Sequence, residues 1–435
     1  MLDSSIFAGR RKQFLDKLGP NSLVLLGSPP TSLRNGDADY PYRQSSDLYY
    51  LTGFDEPEST ALLSTAETED FVLFVRASDP AQELWHGRRA GVDGACSKFG
   101  ADKSFTTKKL KSQLLKRLSQ IDDFYYCFGE NEAYDKLVIE TLTTLRKSER
   151  RGLRAPKRIL DPGTILHEMR LHKSEEEVEL MRRAAEITGQ AHLACMELAA
   201  PGGNEGELAA LLDYTFRRMG GTGPGYTSIV GGGANATILH YIENSSSLLD
   251  GDLLLIDAGC EVDYYTADVT RTFPVNGKFS PAQKRCYELV LKAETTAIEM
   301  IRPGVTIDEV HATCVRVISS GLLELGLLAG DLEECIAEER YKAFFMHKSS
   351  HWLGMDVHDV GAYTLDGKAR PLAPGMVITV EPGLYIAADA DVAEEYRGIG
   401  IRIEDDILVT SEGHENLTGA IPRSVVAIEA SCKGG

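Results

Sequence analysis

The sequence has few of the features that stabilise small secreted proteins. Its eight cysteines are spread along 435 residues, and no two of them form a C-x-x-C pair. Scattered cysteines of this kind are typical of reduced, mostly buried thiols and not of a disulfide framework. The N-terminus lacks the basic start and long apolar run of a secretory signal, and no stretch is apolar enough to cross a membrane. We therefore expect a cytoplasmic protein without a membrane partner.

Positive charge is also scarce. The chain carries 46 lysines and arginines against 65 aspartates and glutamates, which gives a formal net charge of −19. Proteins that bind nucleic acid need a basic surface to hold the phosphates, so we expect no nucleic-acid partner. With 43% apolar and 26% charged residues, the composition is that of a globular protein, and the chain is long enough for two domains.

The pattern of predicted elements places a domain boundary near Lys173. Ser174 opens S-E-E-E, a capping box that predicts the start of a long helix and of a second domain at 173–435. A second capping box predicts a helix at Thr306–Leu325. Residues 1–172 are predicted to be an α/β domain, with strands at Ser22–Leu26 and Phe71–Val75 and helices at Thr107–Leu118 and Asn131–Leu145.

Two aspartates lie in D-L-L-L-I-D-A-G-C-E-V-D-Y-Y-T-A-D-V-T, beside strand-forming residues. Asp257 directly follows the apolar run Leu253–Ile256, which predicts a strand covered on both faces. If the chain reverses at Val262-Asp263, Asp257 lies opposite Asp268 in a hairpin, with Cβ atoms about 4.5–5.5 Å apart. Two buried carboxylates at that distance require a cation. The alternative is that one aspartate caps a turn and the other faces solvent.

Two glutamates occur in similar settings nearer the C-terminus. Glu381 follows the predicted strand Met376–Val380, and Glu404 lies inside a strand predicted at Gly400–Val409. Arg402 is two residues before Glu404, so strand alternation places both on one face. The loop H-K-S-S-H-W-L-G-M-D-V-H adds three histidines: His347, His351 and His358. Packing alone does not explain this set, which predicts a metal site.

These residues identify a known family. The chain resembles aminopeptidase P, the Xaa-Pro aminopeptidases, within the pita-bread metallopeptidases, from Y-P-Y-R-Q-S-S-D-L-Y-Y-L-T-G-F near its start to G-I-G-I-R-I-E-D-D near its end. The resemblance implies an α/β N-terminal domain, which supplies part of the substrate cleft and of the oligomer contacts, followed by an α+β pita-bread catalytic domain. It also implies five metal ligands, all present in the family's order: Asp257, Asp268, His351, Glu381 and Glu404.

Four carboxylates and one imidazole form a hard, oxygen-rich ligand set that suits Mn²⁺, with Zn²⁺ or Co²⁺ as alternatives. By resemblance, two divalent ions bind. Asp268 and Glu404 bridge them, Asp257 completes one site, and His351 with Glu381 completes the other. A hydroxide between the ions attacks the peptide bond. In this scheme Glu381 also collects the proton of the attacking water.

The resemblance assigns further roles outside the ligand set. His240 in L-H-Y and His358 would stabilise the tetrahedral oxygen and serve the leaving nitrogen. His347 would contact substrate or orient its loop. Lys348, which follows it, departs from the glycine common in the family and leaves the loop's conformation open. Three residues would bind or approach the substrate: Trp85, Tyr385 and Arg402. Simpler alternatives are a core histidine at His240, a covered aromatic at Trp85, and charge neutralisation by Arg402.

The implied activity is release of the N-terminal residue from peptides that have proline at the second position. Such peptides are the expected partners, and the family implies a homo-oligomer, a tetramer or a dimer. The main alternative is a prolidase restricted to Xaa-Pro dipeptides, which has the same five ligands. A metal-free hydrolase of the creatinase kind or a non-enzymatic relative would lack several of these acids, so the complete set argues against both.

Overall fold

The computed structural model describes residues 2–66 and 70–432. The chain forms two compact units, Met1–Met169 and Arg170–Gly435. Their junction lies three residues before the predicted start of the second domain at 173. All eight cysteines lie in the described residues and are free thiols, as the sequence predicts.

The first unit is an α/β domain built on one mixed sheet. Its strands are β1 (Ser22–Gly27), β2 (Leu33–Asn35), β3 (Ala38–Asp39), β4 (Thr60–Ser64), β5 (Phe71–Val75), β6 (Lys103–Thr106), β7 (Asp123–Tyr125) and β8 (Arg158–Leu160). The sheet order is β6-β5-β4-β1-β7-β8, while β2 and β3 form a separate exposed hairpin. Strand β1 is antiparallel to β4 and parallel to β7. The predicted strands β1 and β5 are confirmed, and their continuous apolar runs fit strands buried on both faces.

The helices of the first unit are α1 (Ser4–Lys17), α2 (Ser46–Thr52), α3 (Pro80–His86), α4 (Gly91–Ser97), α5 (Leu110–Leu118), α6 (Glu132–Lys147) and α7 (Gly163–Leu171), the last of which extends past the junction. Leu114 and Leu118 of α5 pack with Val138 and Leu142 of α6 in the core around β1. Both helices were predicted, except that residues 107–109 form a 3₁₀ turn before α5.

The second unit surrounds small antiparallel sheets with long helices. Its helices are α8 (Glu175–Leu198), α9 (Glu205–Arg218), α10 (Pro281–Glu299), α11 (Ile307–Glu324), α12 (Leu332–Ala337) and α13 (Val425–Ser431). The capping boxes predicted at Ser174 and Thr306 are confirmed. Each hydroxyl accepts a bond from the backbone N–H three residues later, and the glutamate at that position accepts one from the backbone N–H of the capping residue.

The strands of the second unit are β9 (Gly223–Pro224), β10 (Ile229–Gly232), β11 (Leu253–Asp257), β12 (Cys260–Val262), β13 (Tyr265–Thr266), β14 (Thr270–Pro274), β15 (Thr364–Leu365), β16 (Lys368–Ala369), β17 (Val377–Val380), β18 (Gly383–Tyr385), β19 (Gly400–Arg402), β20 (Asp405–Val409) and β21 (His414–Asn416). Two sheets carry the predicted acids, β10-β11-β14 and β17-β20-β21. Their buried strands are packed in one core with α8, α10 and α11.

The hairpin that carries both aspartates has a different register from the predicted one. The chain reverses at Asp263-Tyr264, where both φ angles are positive (46° and 73°), as in a type I′ turn. Asp257 therefore pairs with Thr270, and the prediction that it lies opposite Asp268 is wrong. Pairing is interrupted just before Thr270, and both acids still line the same cavity.

The second predicted strand with an acid is also divided. Residues 400–409 form β19 and β20, and Glu404 lies in the break between them, not inside a strand. The break arises because β19 pairs with β18 whereas β20 pairs with β17. At this change of partner the Glu404 N–H donates to the Thr270 carbonyl, 3.1 Å away. Glu404 thus meets the hairpin of the two aspartates.

Gly259 lies where the two halves of the aspartate hairpin approach most closely. A Cβ atom on it would lie 1.7 Å from the Ala267 carbonyl oxygen. We expect Gly259→Ala to lower the free energy of unfolding by about 3 kcal/mol, because backbone must move to admit the methyl group. Gly413→Ala, in the same unit, is the control, since nothing lies within 4 Å of its added Cβ.

Denaturant unfolding followed by tryptophan fluorescence measures this effect. Trp352 is buried in the second unit, whereas Trp85 is already 80% exposed, so the signal change comes from the unit that contains Gly259. An unchanged midpoint for Gly259→Ala would contradict the close approach.

Candidate metal centre

Nine of the ten predicted site residues of the second unit surround a single cavity of about 470 Å³. It is lined by the five predicted ligands and by four other predicted residues: Asp257, Asp268, His351, Glu381, Glu404, His240, His347, His358 and Arg402. The acids come from the ends or breaks of β11, β17 and the β19–β20 segment, and from the interrupted hairpin before β14. Acids up to 147 positions apart in the chain, Asp257 and Glu404, therefore converge on this cavity.

Three of these side chains are close enough to bind one ion. Ligand atoms of Asp268, His351 and Glu404 all lie within 4.8 Å of one another. His351 Nε2 is 3.4 Å from Asp268 Oδ2 and 3.5 Å from Glu381 Oε1. The same imidazole nitrogen therefore lies between two carboxylates, the arrangement expected around a cation.

The His351 ring is oriented by its other nitrogen. Nδ1 donates to the carbonyl oxygen of Trp352 at 3.0 Å, which leaves the Nε2 lone pair directed at the acids when the ring is neutral. Burial alone would lower the pKa of His351, but Asp268 and Glu381 outweigh it and raise the pKa to about 9. Without an ion, the ring thus takes the positive charge that the acids require.

Asp257 is held by two donors on its two oxygens. The Tyr226 hydroxyl donates to Oδ1 at 2.7 Å, and the Arg402 guanidinium donates to Oδ2 at 2.6 Å. Each carboxylate oxygen retains a further lone pair for an ion. Arg402 thus neutralises an acid of the cluster, as one of the alternatives for this residue predicted. The role of Tyr226 was not predicted, and G-Y-T-S around it carries no signal of one.

Thr270 connects Arg402 to Glu404. Its hydroxyl accepts a bond from Arg402 Nε at 3.0 Å and donates to Glu404 Oε2 at 2.6 Å. The role of Thr270 was not predicted, although strand alternation from Asp268 would have suggested its position. The hydroxyl leaves Glu404 Oε1 available and fixes the rotation of the carboxyl group.

The buried carboxylates are poorly suited to a site without a cation. Burial raises the pKa of Asp268 and Glu404, with the neighbouring acids adding to the effect. Burial likewise raises the pKa of Glu381 to about 7. These shifts mean that several negative charges cannot coexist here unless positive charge enters. Two divalent ions would balance four carboxylates, and oxygen donors with one imidazole suit hard divalent ions, so the residues fit such a group.

A chain of hydrogen bonds extends from Arg402 to the histidine loop. Arg402 donates to the Tyr385 hydroxyl, which lies 2.9 Å from His347 Nε2. His347 Nδ1 is 2.7 Å from the Lys348 carbonyl oxygen. Burial and the nearby Arg402 lower the pKa of His347 to about 4. A neutral ring that donates from Nδ1 and accepts the Tyr385 proton at Nε2 satisfies both contacts.

The remaining predicted residues differ in their exposure and in whether they line the cavity. His240 and His358 lie exposed at the cavity wall, and the His358 ring meets that of His351 edge to face at 4.5 Å between centroids. Tyr385 is buried behind His347. Trp85 lies on α3 in the first unit and is 80% exposed, so it is not a covered aromatic in this chain.

Known proteins match both units of the chain. Residues 179–411 match metallopeptidase family M24, and residues 7–122 match the N-terminal domain of aminopeptidase P. The chain is 48% identical over 426 residues to the Xaa-Pro aminopeptidase of Escherichia coli (strain K12), covering 98% of this chain and 96% of that protein. It is 44% identical over 424 residues to the Xaa-Pro aminopeptidase of Haemophilus influenzae, covering 97% and 96%.

A solved structure agrees with these matches. Aminopeptidase PepP of Pseudomonas aeruginosa superposes with a TM-score of 0.97 at 48% identity, covering 99% of this chain and 98% of that one. The comparisons confirm the predicted α/β N-terminal domain and α+β pita-bread catalytic domain. Within residues 2–66 and 70–432, no helix has the length and apolar character needed to span a bilayer. The chain belongs to metallopeptidase family M24 and, within it, to the aminopeptidase P family.

Proposed function

We propose that the chain is a dinuclear-metal aminopeptidase that releases the N-terminal residue from peptides with proline at the second position. The observation that carries this proposal is the convergence of Asp257, Asp268, His351, Glu381 and Glu404 on one cavity. The E. coli and H. influenzae relatives, similar over nearly the whole chain, are Xaa-Pro aminopeptidases.

The five converging residues would hold two divalent ions, Mn²⁺ in preference to Zn²⁺ or Co²⁺. Asp268 and Glu404 would bridge the ions, Asp257 would complete one site, and His351 with Glu381 the other. When bound, the ion pair would supply a hydroxide nucleophile by lowering the pKa of a shared water. Support comes from the mutual proximity of Asp268, His351 and Glu404. Two of them are the proposed bridging ligands, and His351 is a proposed ligand of one ion.

The surrounding side chains would carry the proton transfers and orient the peptide. Glu381 lines the cavity just after β17 and would collect the proton released by the nucleophile. His240 and His358 line the cavity with exposed rings, so they can donate to the oxygen of a tetrahedral intermediate and to the leaving nitrogen. His347, with both ring nitrogens engaged, would orient the loop through Tyr385.

A preference for proline is compatible with this mechanism. An Xaa-Pro bond has no amide N–H and a fixed φ, so an enzyme cannot bind it through the scissile N–H. The cavity offers apolar walls from Ile229, Leu239 and Val357 beside the acids, which can read the shape of a ring. The free α-amine would approach the acid cluster, which would restrict cleavage to the first bond.

We also propose that the protein acts in the cytoplasm as a homo-oligomer, a tetramer or a dimer, with Trp85 contributing to substrate binding. The role of Trp85 is supported by its exposure on α3, a helix that has no buried residues and also exposes Leu84. In this proposal the first unit supplies part of the substrate cleft and of the contacts between copies.

Metal-reconstituted hydrolysis of short peptides tests the proposed activity. The chain is stripped with a chelator, reloaded with Mn²⁺, Zn²⁺ or Co²⁺, and given Ala-Pro-Ala, Ala-Pro and Ala-Ala-Ala, with products identified by mass spectrometry. We expect release of alanine from Ala-Pro-Ala only after metal is restored, and little cleavage of Ala-Ala-Ala. Cleavage confined to Ala-Pro would favour the prolidase alternative. Full activity in the chelated protein, or none with any metal, would refute a metallo-aminopeptidase.

A further inference from the structure

The loop between two cavity histidines is closed at its ends by one carbonyl group. The Trp352 oxygen accepts a bond from His351 Nδ1 at 3.0 Å and from the Asp359 backbone N–H at 2.9 Å. His358 immediately precedes Asp359, and its ring packs against that of His351. The loop of residues 352–359 therefore determines how the two imidazoles lie relative to each other.

The first half of the loop is fixed by the core. Trp352 and Leu353 are buried, Leu353 N–H donates to the Val377 carbonyl at 3.1 Å, and the Gly354 carbonyl accepts from Thr266 N–H at 3.0 Å. The second half is more open, and the His358 ring is exposed to the cavity. This second half is held in place by Asp359, the residue that follows His358.

That anchor is a buried carboxylate bound to two cations. Arg170 donates to Asp359 Oδ1 at 2.6 Å, and Lys173 donates to Oδ2 at 3.0 Å. The three side chains are only 1–3% exposed. A buried lysine, arginine and aspartate are tolerated only when paired, so removing one charge leaves the others uncompensated. Arg170 also bonds Asp356 Oδ2 at 2.6 Å, which ties a second point of the loop to the same guanidinium.

The carboxylate also determines the curvature of the loop. A Cβ atom on Gly354 would lie 2.2 Å from Asp359 Oδ2 and 2.8 Å from Lys173 Cε. The loop backbone therefore passes directly over the ion pair, with no side chain between them. The loop folds around the Asp359 carboxylate, and a change in that group is transmitted to the adjacent His358.

We propose that Asp359, held by Arg170 and Lys173, is a positioning residue that fixes the His358 imidazole beside His351. The inference rests on the proposed function, in which His358 contacts the reacting peptide. Asp359 itself does not touch substrate, because it is buried below the loop. It acts through the position of the neighbouring ring, as supporting residues do for catalytic side chains.

A double-mutant cycle between Asp359→Asn and His358→Ala tests this inference. With Ala-Pro-Ala and saturating Mn²⁺, Asp359→Asn is expected to lower kcat about 10- to 100-fold, with KM and bound metal little changed. In the His358→Ala background the same substitution is expected to cost less than about threefold, because the ring it positions is gone. A merely structural role would give equal losses in both backgrounds.

Controls separate this inference from the proposed function and from misfolding. Asp123→Asn removes a buried carboxylate from its bond to Arg158 in the first unit, and we expect its kcat to equal that of the wild type. Rates are measured well below each melting temperature. If Asp359→Asn fails to fold, Lys173→Met, which leaves Arg170 on the carboxylate, replaces it in the cycle.

Three outcomes overturn the inference: an unchanged kcat in Asp359→Asn, loss of bound metal, or additive losses in the cycle. An inactive wild type would instead refute the proposed function.

Discussion

Asp268→Asn and Glu404→Gln are each expected to lower kcat/KM by roughly a thousandfold, a loss of about 4 kcal/mol of transition-state stabilisation. Both carboxylates are proposed to bind both ions, so an amide in place of either removes a charged ligand from two sites at once. Because each acid is buried and its pKa is raised by burial, a neutral amide suits the metal-free fold and leaves it intact.

Glu294→Gln is the matched control for these substitutions. Glu294 is as buried as Glu404, and burial followed by the neighbouring Asp405 raises its pKa to about 8. It lies on α10 and accepts a bond from Arg423 at 2.8 Å. Its amide mimics the protonated acid, so we expect kcat/KM close to that of the wild type. Near-normal turnover in Asp268→Asn or Glu404→Gln would remove the bridging assignment.

The positions of Asp257 and Glu381 could be predicted because each lies at the end of a strongly apolar strand. Asp257 and Glu381 follow buried runs of strand-forming residues. This pattern locates each acid at a strand end even when the predicted pairing between strands is wrong. His351 could be selected from three loop histidines only through the family resemblance, since spacing does not say which ring nitrogen meets an acid. Local pattern thus indicates the site, and tertiary geometry determines the ligand atoms.

The wrong predictions, the register of the aspartate hairpin and the single strand at Gly400–Val409, both concern which backbone segments pair in the folded chain. Nothing local predicts that Asp263 and Tyr264 both adopt positive φ, which an aromatic residue rarely does. The apolar residues on both sides of Glu404 favour one strand at Gly400–Val409, and its break at Glu404 results from a change of pairing partner. The Asp359 ion cluster joins residues 186 positions apart and has no signature in sequence.

Removing metal is expected to destabilise the second unit, and more so as the pH rises from about 6.5 to 8. Without ions, burial and neighbouring acids raise the pKa of Glu404, and burial raises that of Glu381 to about 7. These folded-state values exceed the ordinary value of about 4.3 for glutamate. The folded state therefore holds protons that the unfolded chain releases, and stability falls as pH rises.

His351 acts in the same direction. The acids raise its pKa to about 9 despite burial, so its stabilising charge is present below the ordinary histidine value of about 6.5 and is lost as pH rises through 9. His347 and His358, whose pKa values are lowered by burial, contribute in the opposite direction, but only below about pH 6.5. The window above pH 6.5 thus isolates the metal-site groups from these two rings.

Bound ions reverse this dependence, because they bind the deprotonated ligands and replace the missing positive charge. At a free metal concentration 100-fold above Kd, one ion adds about 2.7 kcal/mol to stability. The measurement is the melting temperature with and without Mn²⁺ at several pH values, and the difference is expected to widen with pH. Glu294 titrates equally in both samples, so it cancels from the difference. In Glu404→Gln the difference should shrink and its slope should decrease, while Glu381 and His351 still titrate. A metal-induced rise that is independent of pH in the wild type would mean that the buried acids are not the ligands.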